Sequence, residues 1–141
     1  MDFSGKTALV ACIGAAVVLL VLDLLWLRLV MGPLFKTELG ELMRPEPALV
    51  PAALFYLLYV AGIVVFAVMP GVAASSLLRA GVFGAFLGLL AYGTYDLTNL
   101  ATLKIWPVKV AILDMAWGSF VTAASAVAGT AAAMAIARSG N

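Results

Sequence analysis

A chain of 141 residues with 65% hydrophobic and only 11% charged side chains lies outside the soluble range and predicts one integral membrane domain, residues 1–141. Its net charge of +1 argues against a nucleic-acid partner. With no histidine and a single cysteine, Cys12, we expect no metal, no cofactor and no histidine-dependent catalytic triad.

The first apolar run, residues 7–31, is long enough to cross a bilayer as a helix, and we interpret it as a retained span. Gly32 and Pro33 predict its end. Asp23 and Trp26 share one face of this helix. Because the short side chain of Asp23 would lie about 12 Å inside the span, we expect it to need a polar partner from another helix.

Residues 34–44 form the most polar segment of the chain, and apolar and charged side chains alternate along it at helical spacing. This pattern predicts a short amphipathic helix in the headgroup plane, with a charged loop as the alternative. Pro45, Pro47 and Pro51 then predict an extended connection to the second span, residues 49–69.

The second span carries Tyr56 and Tyr59 near its start and is expected to end at Pro70. Tyrosines near a helix end are typical of the interfacial aromatic belt, but Tyr59 lies deeper than a belt residue needs to be. A serine before the third span, residues 77–99, is a plausible N-cap for that helix.

One face of the third span changes from glycine to polar residues along its length. Glycines at positions 81, 84 and 88 are followed at helical spacing by Tyr92, Tyr95, Asp96 and Asn99. The smooth half predicts close helix packing, and the polar half predicts complementary groups on the other helices.

The fourth span, residues 107–137, has Lys109, Asp114 and Trp117 near its start. A stripe of small residues follows at helical spacing and is expected to pack against the glycines of the third span as the tightest contact in the protein. Because the first and fourth spans run in opposite directions, the tryptophans of the two Asp-x-x-Trp pairs are expected to point to different depths.

We therefore predict an all-α, four-helix, up-down-up-down bundle with a short interfacial amphipathic helix between the first two spans. In this arrangement the polar residues of all spans fall in one leaflet, on the side of the two longer connections. Five basic residues on that side against three on the side of the termini favour a cytoplasmic location for the longer connections.

The run from Tyr92 to Thr102, followed by Trp106, Asp114, Trp117 and Gly118, resembles the signature of a bacterial family of small membrane proteins, domain-of-unknown-function family 2177. The similarity extends over nearly the whole chain. It implies a four-helix, multi-pass protein of the bacterial inner membrane, and it implies no particular activity.

The leading functional hypothesis is a non-catalytic binder or carrier of a small molecule or lipid in an acidic, aromatic-lined pocket. Carboxylates with aromatic neighbours suit a small cationic or amphipathic ligand, and a membrane lipid is an equally natural partner. The predicted ligand-binding residues are Asp23, Trp26, Tyr56, Tyr59, Tyr92, Tyr95, Asp96, Asn99, Lys109, Asp114 and Trp117.

Four alternatives remain open. The polar cluster could serve only to fix helix packing. The protein could be a proton-coupled small transporter acting as a homodimer, in which Asp23 or Asp114 exchanges a proton for a cation. It could be a membrane-embedded enzyme that modifies lipids with paired carboxylates as acid and base, although the chain offers few groups to polarise a substrate. It could also be an accessory subunit of a membrane complex.

Overall fold

A computed structural model describes residues 3–139, which are helical apart from short connections. Four helices in this part of the chain are long and apolar enough to cross a membrane. They are α1 (Gly5–Leu42), α2 (Leu49–Ala73), α3 (Leu77–Thr102) and α4 (Val108–Ser139). The all-α class and the four candidate spans predicted from the sequence are therefore confirmed.

The predicted end of α1 at Gly32 and Pro33 is wrong. The α-helix Gly5–Trp26 continues through a π-helical turn, Leu27–Met31, into a second α-helical segment, Gly32–Leu39, and a 3₁₀ turn. The Gly32 N–H donates to the carbonyl of Leu27, five residues back, and this wider turn accommodates Pro33 without ending the helix. Residues 34–39 therefore continue α1 and do not form a separate helix.

Glycine is required at position 32 by the same turn. A Cβ atom on this residue would lie 2.5 Å from the carbonyl oxygen of Leu27, well inside van der Waals contact. Gly32 is thus part of the π-helical turn, although in the sequence it resembles a helix stop.

Helix α2 has the same arrangement and also continues past its predicted end at Pro70. The α-helix Leu49–Ile63 is followed by a π-helical turn, Val64–Val68, and then by Met69–Ala73, which contains the proline. In both helices the proline is the second residue after the π-helical turn. A wide turn just before a proline therefore keeps each helix continuous.

Helices α3 and α4 make the most extensive contact in the structure, which confirms the predicted pairing. The two run antiparallel with their backbones touching. A Cβ atom on Gly88 would lie 2.1 Å from the carbonyl oxygen of Gly118, and one on Gly84 would lie 2.9 Å from that of Thr122. The Ser76 hydroxyl caps the start of α3 by accepting a hydrogen bond of 3.1 Å from the N–H of Arg79.

Helix α4 is the central helix, because it also contacts α1 along much of its length. A Cβ atom on Gly129 would lie 2.9 Å from the carbonyl oxygen of Ala11, so the far end of the small-residue stripe faces α1 and not α3. The prediction that the whole stripe packs against α3 is wrong for this end. Small residues let α4 approach both neighbours closely.

The first half of α2 stands apart from the other helices. Within Leu49–Ile63 only Tyr59 and Ile63 are buried, whereas the following π-helical turn buries Val64, Ala67 and Val68. At the same end of the protein, Met31, Trp106, Val110 and Ala111 form a small second core between α1 and the start of α4. Between these two features the helices leave a cavity.

Candidate functional site

The cavity has a volume of about 320 Å³ and receives side chains from all four helices. Its walls consist of carboxylates, aromatic rings and a few aliphatic groups, namely Asp23, Trp26, Leu27, Met31, Phe35, Phe55, Tyr56, Ala91, Tyr92, Tyr95 and Asp114. Six of the predicted site residues, Asp23, Trp26, Tyr56, Tyr92, Tyr95 and Asp114, lie in these walls. The structure therefore brings together residues that lie far apart in sequence.

Asp23 joins three helices through hydrogen bonds. It is buried at 6% exposure. One carboxylate oxygen accepts a short hydrogen bond from the Tyr56 hydroxyl of α2, and the other accepts one of 3.0 Å from the indole N–H of Trp117 on α4. The expected polar partners thus come from two other helices, and both are neutral donors.

Trp26 and Trp117 stack face to face, with ring centroids 4.5 Å apart and an angle of 2° between the ring planes. The expectation that these tryptophans would point to different depths is wrong. Each lies three residues, or about 4.5 Å of helical rise, from its aspartate. Because an indole is long enough to span that offset, the two antiparallel helices can bring the rings to one level.

Asp114 and Asp96 lie side by side at the junction of α3 and α4. Asp114 is 8% exposed and faces the cavity, whereas Asp96 is completely buried behind it and lies beside the indole of Trp106. Within residues 3–139, neither oxygen of Asp96 has a hydrogen-bond donor in bonding geometry. The predicted site residue Asp96 therefore contacts the cavity only through Asp114.

Tyr59 lies behind the cavity wall and supports it. Its hydroxyl forms a buried 2.6 Å hydrogen bond with that of Thr122 on α4. Its ring stacks on Phe55 at 5.2 Å and lies 6.3 Å from the ring of Tyr92. Tyr59 thus holds two wall residues in place without lining the cavity.

Asn99 and Lys109, two other predicted site residues, do not line the cavity. The Lys109 side chain is 61% exposed, and its ammonium group forms a 2.6 Å ion pair with Glu38. This pair links the start of α4 to the end of α1. Lys109 therefore connects two helices near the cavity and supplies no charge inside it.

Five apolar wall residues were missed. Leu27, Met31 and Phe35 lie in or just after the π-helical turn of α1, and only Phe35 lies beyond the predicted helix end. Ending the helix before Phe35 removed the element that places this ring beside the aspartates. Phe55 is adjacent in sequence to a predicted site residue, and its aromatic ring was the signal that could have found it. Ala91 has a small apolar side chain that gives no signal of its own in the sequence.

The cavity contains acidic groups but no basic group from the described residues. Every lysine and arginine of residues 3–139 is exposed: Lys6, Arg28, Lys36, Arg44, Arg79, Lys104, Lys109 and Arg138. Carboxylate oxygens and aromatic faces thus dominate the chemistry of the cavity. Both attract cations and hydrogen-bond donors.

The comparisons with known proteins agree with the resemblance noted in the sequence. The family model described as "Predicted membrane protein (DUF2177)" matches residues 8–131. The chain belongs to this family. No curated protein and no solved structure gives a significant match. The membership supports a multi-pass membrane protein, as do the four candidate spans.

Proposed function

We propose that this protein is a non-catalytic binder or carrier of a small molecule or lipid, held in the cavity between the four helices. The observation that carries the proposal is the convergence of Asp23 and Asp114, from α1 and α4, on one aromatic-walled space of about 320 Å³. Volumes from about 300 to 1,000 Å³ with few polar groups are typical of small-molecule sites.

Access from the surrounding membrane supports a lipid-like ligand. Leu27, Phe55 and Tyr95 line the cavity yet keep 39%, 46% and 50% of their surface exposed, so the cavity reaches the outer surface of the bundle. The opening follows from the position of α2, whose first half buries few side chains. A hydrophobic ligand could enter sideways between α1 and α2.

Binding is favoured over catalysis by the composition of the walls. The wall residues include no cysteine, lysine, serine or threonine, so the nucleophilic groups that a substrate would meet there are aspartate carboxylates and tyrosine hydroxyls. The thiol of Cys12 belongs to the first part of α1 and lies away from these walls. Paired carboxylates and aromatic rings alone are better suited to holding a ligand than to polarising one.

We infer the following arrangement in the membrane. The helices run up-down-up-down through the bacterial inner membrane, with the termini on one side, and the amphipathic stretch within residues 34–44, which continues α1, extends into the headgroup region. Arg28, Lys36, Arg44, Lys104 and Lys109 favour a cytoplasmic location for the side with the longer connections. The cavity then lies in the cytoplasmic leaflet.

Filling the cavity tests the proposal. Ala91 lines the cavity and Ala101 is exposed on the same helix, so Ala91→Phe and Ala101→Phe add the same ring inside and outside the site. We expect Ala91→Phe to reduce at least about tenfold the amount of non-protein molecules that native mass spectrometry detects on the purified protein. The Ala101→Phe control should retain them.

A thermal unfolding curve for each variant shows whether it remains folded. If both folded variants carry the same bound molecules in the same amounts as the unsubstituted protein, the cavity is not the binding site and the proposal is wrong.

A further inference from the structure

We propose that the ligand is a single-chain amphipath with a cationic amine head, and that the head binds beside Asp114. This inference rests on the proposed function and adds the charge and shape of the ligand. Four features support it: the bonding state of Asp114, the charge balance of the cavity, the composition of its walls and its size.

Asp114 faces the cavity without a hydrogen bond from any N–H or hydroxyl group of residues 3–139. It is 8% exposed, and its close polar neighbour is the carboxyl group of Asp96, which is no donor when both groups are ionised. Asp23 differs, because Tyr56 and Trp117 already donate to both of its oxygens. A buried carboxylate without a donor is costly, so a ligand that donates to Asp114 gains most.

The charge balance of the site favours a cation. Asp23, Asp96 and Asp114 come together in the apolar interior, while every described lysine and arginine is exposed. Adjacent carboxylates repel each other unless a proton or a cation lies between them. An ammonium head beside Asp114 would supply the missing positive charge and its hydrogen-bond donors together.

The walls also discriminate against an anionic head. The Tyr56 hydroxyl is already committed to Asp23, and the buried indole N–H of Trp26 is a neutral donor. Tyr92 and Tyr95 add neutral hydroxyl groups, and their rings line the same space as that of Trp26, where aromatic faces attract cations. An anion would therefore meet two carboxylates with only neutral donors to offset the repulsion.

The volume of about 320 Å³ suits a ligand with one chain. It is near the lower end of the usual range for small-molecule sites, so it holds a head group and the adjoining part of one alkyl chain. The remaining part of the chain would leave between Leu27 and Phe55, which are lipid-exposed side chains at the opening.

Three probes that share a dodecyl chain and differ in head group test the inference: dodecylammonium, dodecanol and laurate. Native mass spectrometry of the protein in dodecyl maltoside measures the apparent Kd of each. We expect dodecylammonium to bind at least about tenfold more tightly than dodecanol, and laurate to bind more weakly still. We also expect Ala91→Phe to abolish the binding of dodecylammonium.

Charge-removing variants locate the head group. Asp114→Asn should weaken dodecylammonium binding about tenfold and leave dodecanol binding unchanged. Glu41→Gln removes an exposed carboxylate with the same change in charge and should have no effect. The comparison of head groups in the unsubstituted protein provides the test even if Asp114→Asn does not fold.

Several results would overturn the inference. Equal affinities for the three probes, sensitive to Ala91→Phe, would leave the proposed function intact and show that the head group is not a cation. If dodecylammonium binds no better than dodecanol, the head group is likewise not a cation. A proton shared between Asp96 and Asp114 would explain that result. Failure of all three probes to bind, while native lipids remain bound, would overturn the ligand class alone, whereas a protein that binds nothing would overturn both proposals.

Discussion

Asp23 is the residue at which three helices are held together. It belongs to α1, and its two carboxylate oxygens accept hydrogen bonds from Tyr56 on α2 and Trp117 on α4. Such donors offset much of the cost of burying a carboxylate in an apolar interior. Trp117 also stacks on Trp26, so the same contact fixes the level at which α1 meets α4.

A double-mutant cycle measures this contact. Tyr56→Phe removes one donor from Asp23, and we expect it to lower the free energy of unfolding in detergent by about 1 kcal/mol. The loss should be much smaller when Asp23→Asn is already present, because a neutral amide binds the hydroxyl less strongly. Tyr92→Phe is the control, since the Tyr92 hydroxyl makes no side-chain hydrogen bond among residues 3–139. Equal losses in both backgrounds would mean that the Tyr56 hydroxyl does not stabilise the bundle through Asp23.

Residue types and span order were enough to predict which residues share a level of the bundle. Asp23 comes late in one span, Tyr56 early in the next, and Asp114 early in the last, so antiparallel packing puts them together. The sequence could not distinguish the cavity-facing Asp114 from the enclosed Asp96. That difference depends on the rotation of α3 and α4 about their axes, which the Gly88–Gly118 contact sets.

The two π-helical turns explain why α1 and α2 continue past their predicted ends. Gly32, Pro33 and Pro70 are ordinary signals of a helix end, and in both helices the chain continues through a wider turn instead. Local propensities do not reveal such a turn, because packing against neighbouring helices stabilises it. In α1 it also places Leu27 and Met31 in the cavity wall.

The contact between α3 and α4 gives a matched pair of glycine substitutions. Gly88→Ala would put a methyl group 2.1 Å from the carbonyl oxygen of Gly118, whereas Gly62→Ala on α2 has nothing within 4 Å of the added atom. We expect Gly88→Ala to lower the free energy of unfolding by at least about 2 kcal/mol, because two helix backbones must separate. Thermal or denaturant unfolding in detergent measures both variants.

Gly62→Ala should leave stability unchanged or raise it by up to about 1 kcal/mol, since alanine favours the helix and meets no neighbour. A Gly88→Ala variant as stable as Gly62→Ala would show that α3 and α4 do not touch at this point.

At the scale of the whole molecule, the protein is closely packed at one end and open at the other. Small residues bring α4 against α1 and α3, and the π-helical turn of α2 packs onto this group. Toward the start of α2 the helices separate, and acidic and aromatic side chains line the gap without filling it. The glycine pattern was visible in the sequence. The gap depends on the distance between the first half of α2 and the other helices, which no local sequence pattern encodes.

A density map of the protein purified in its native lipid would show whether a molecule from the membrane occupies this gap. We expect elongated density that belongs to no side chain, with one end beside Asp23 and Asp114 and the other emerging between Leu27 and Phe55. If Phe35 and Phe55 instead close over the gap and separate the carboxylates from any bound molecule, the cavity is not a binding site.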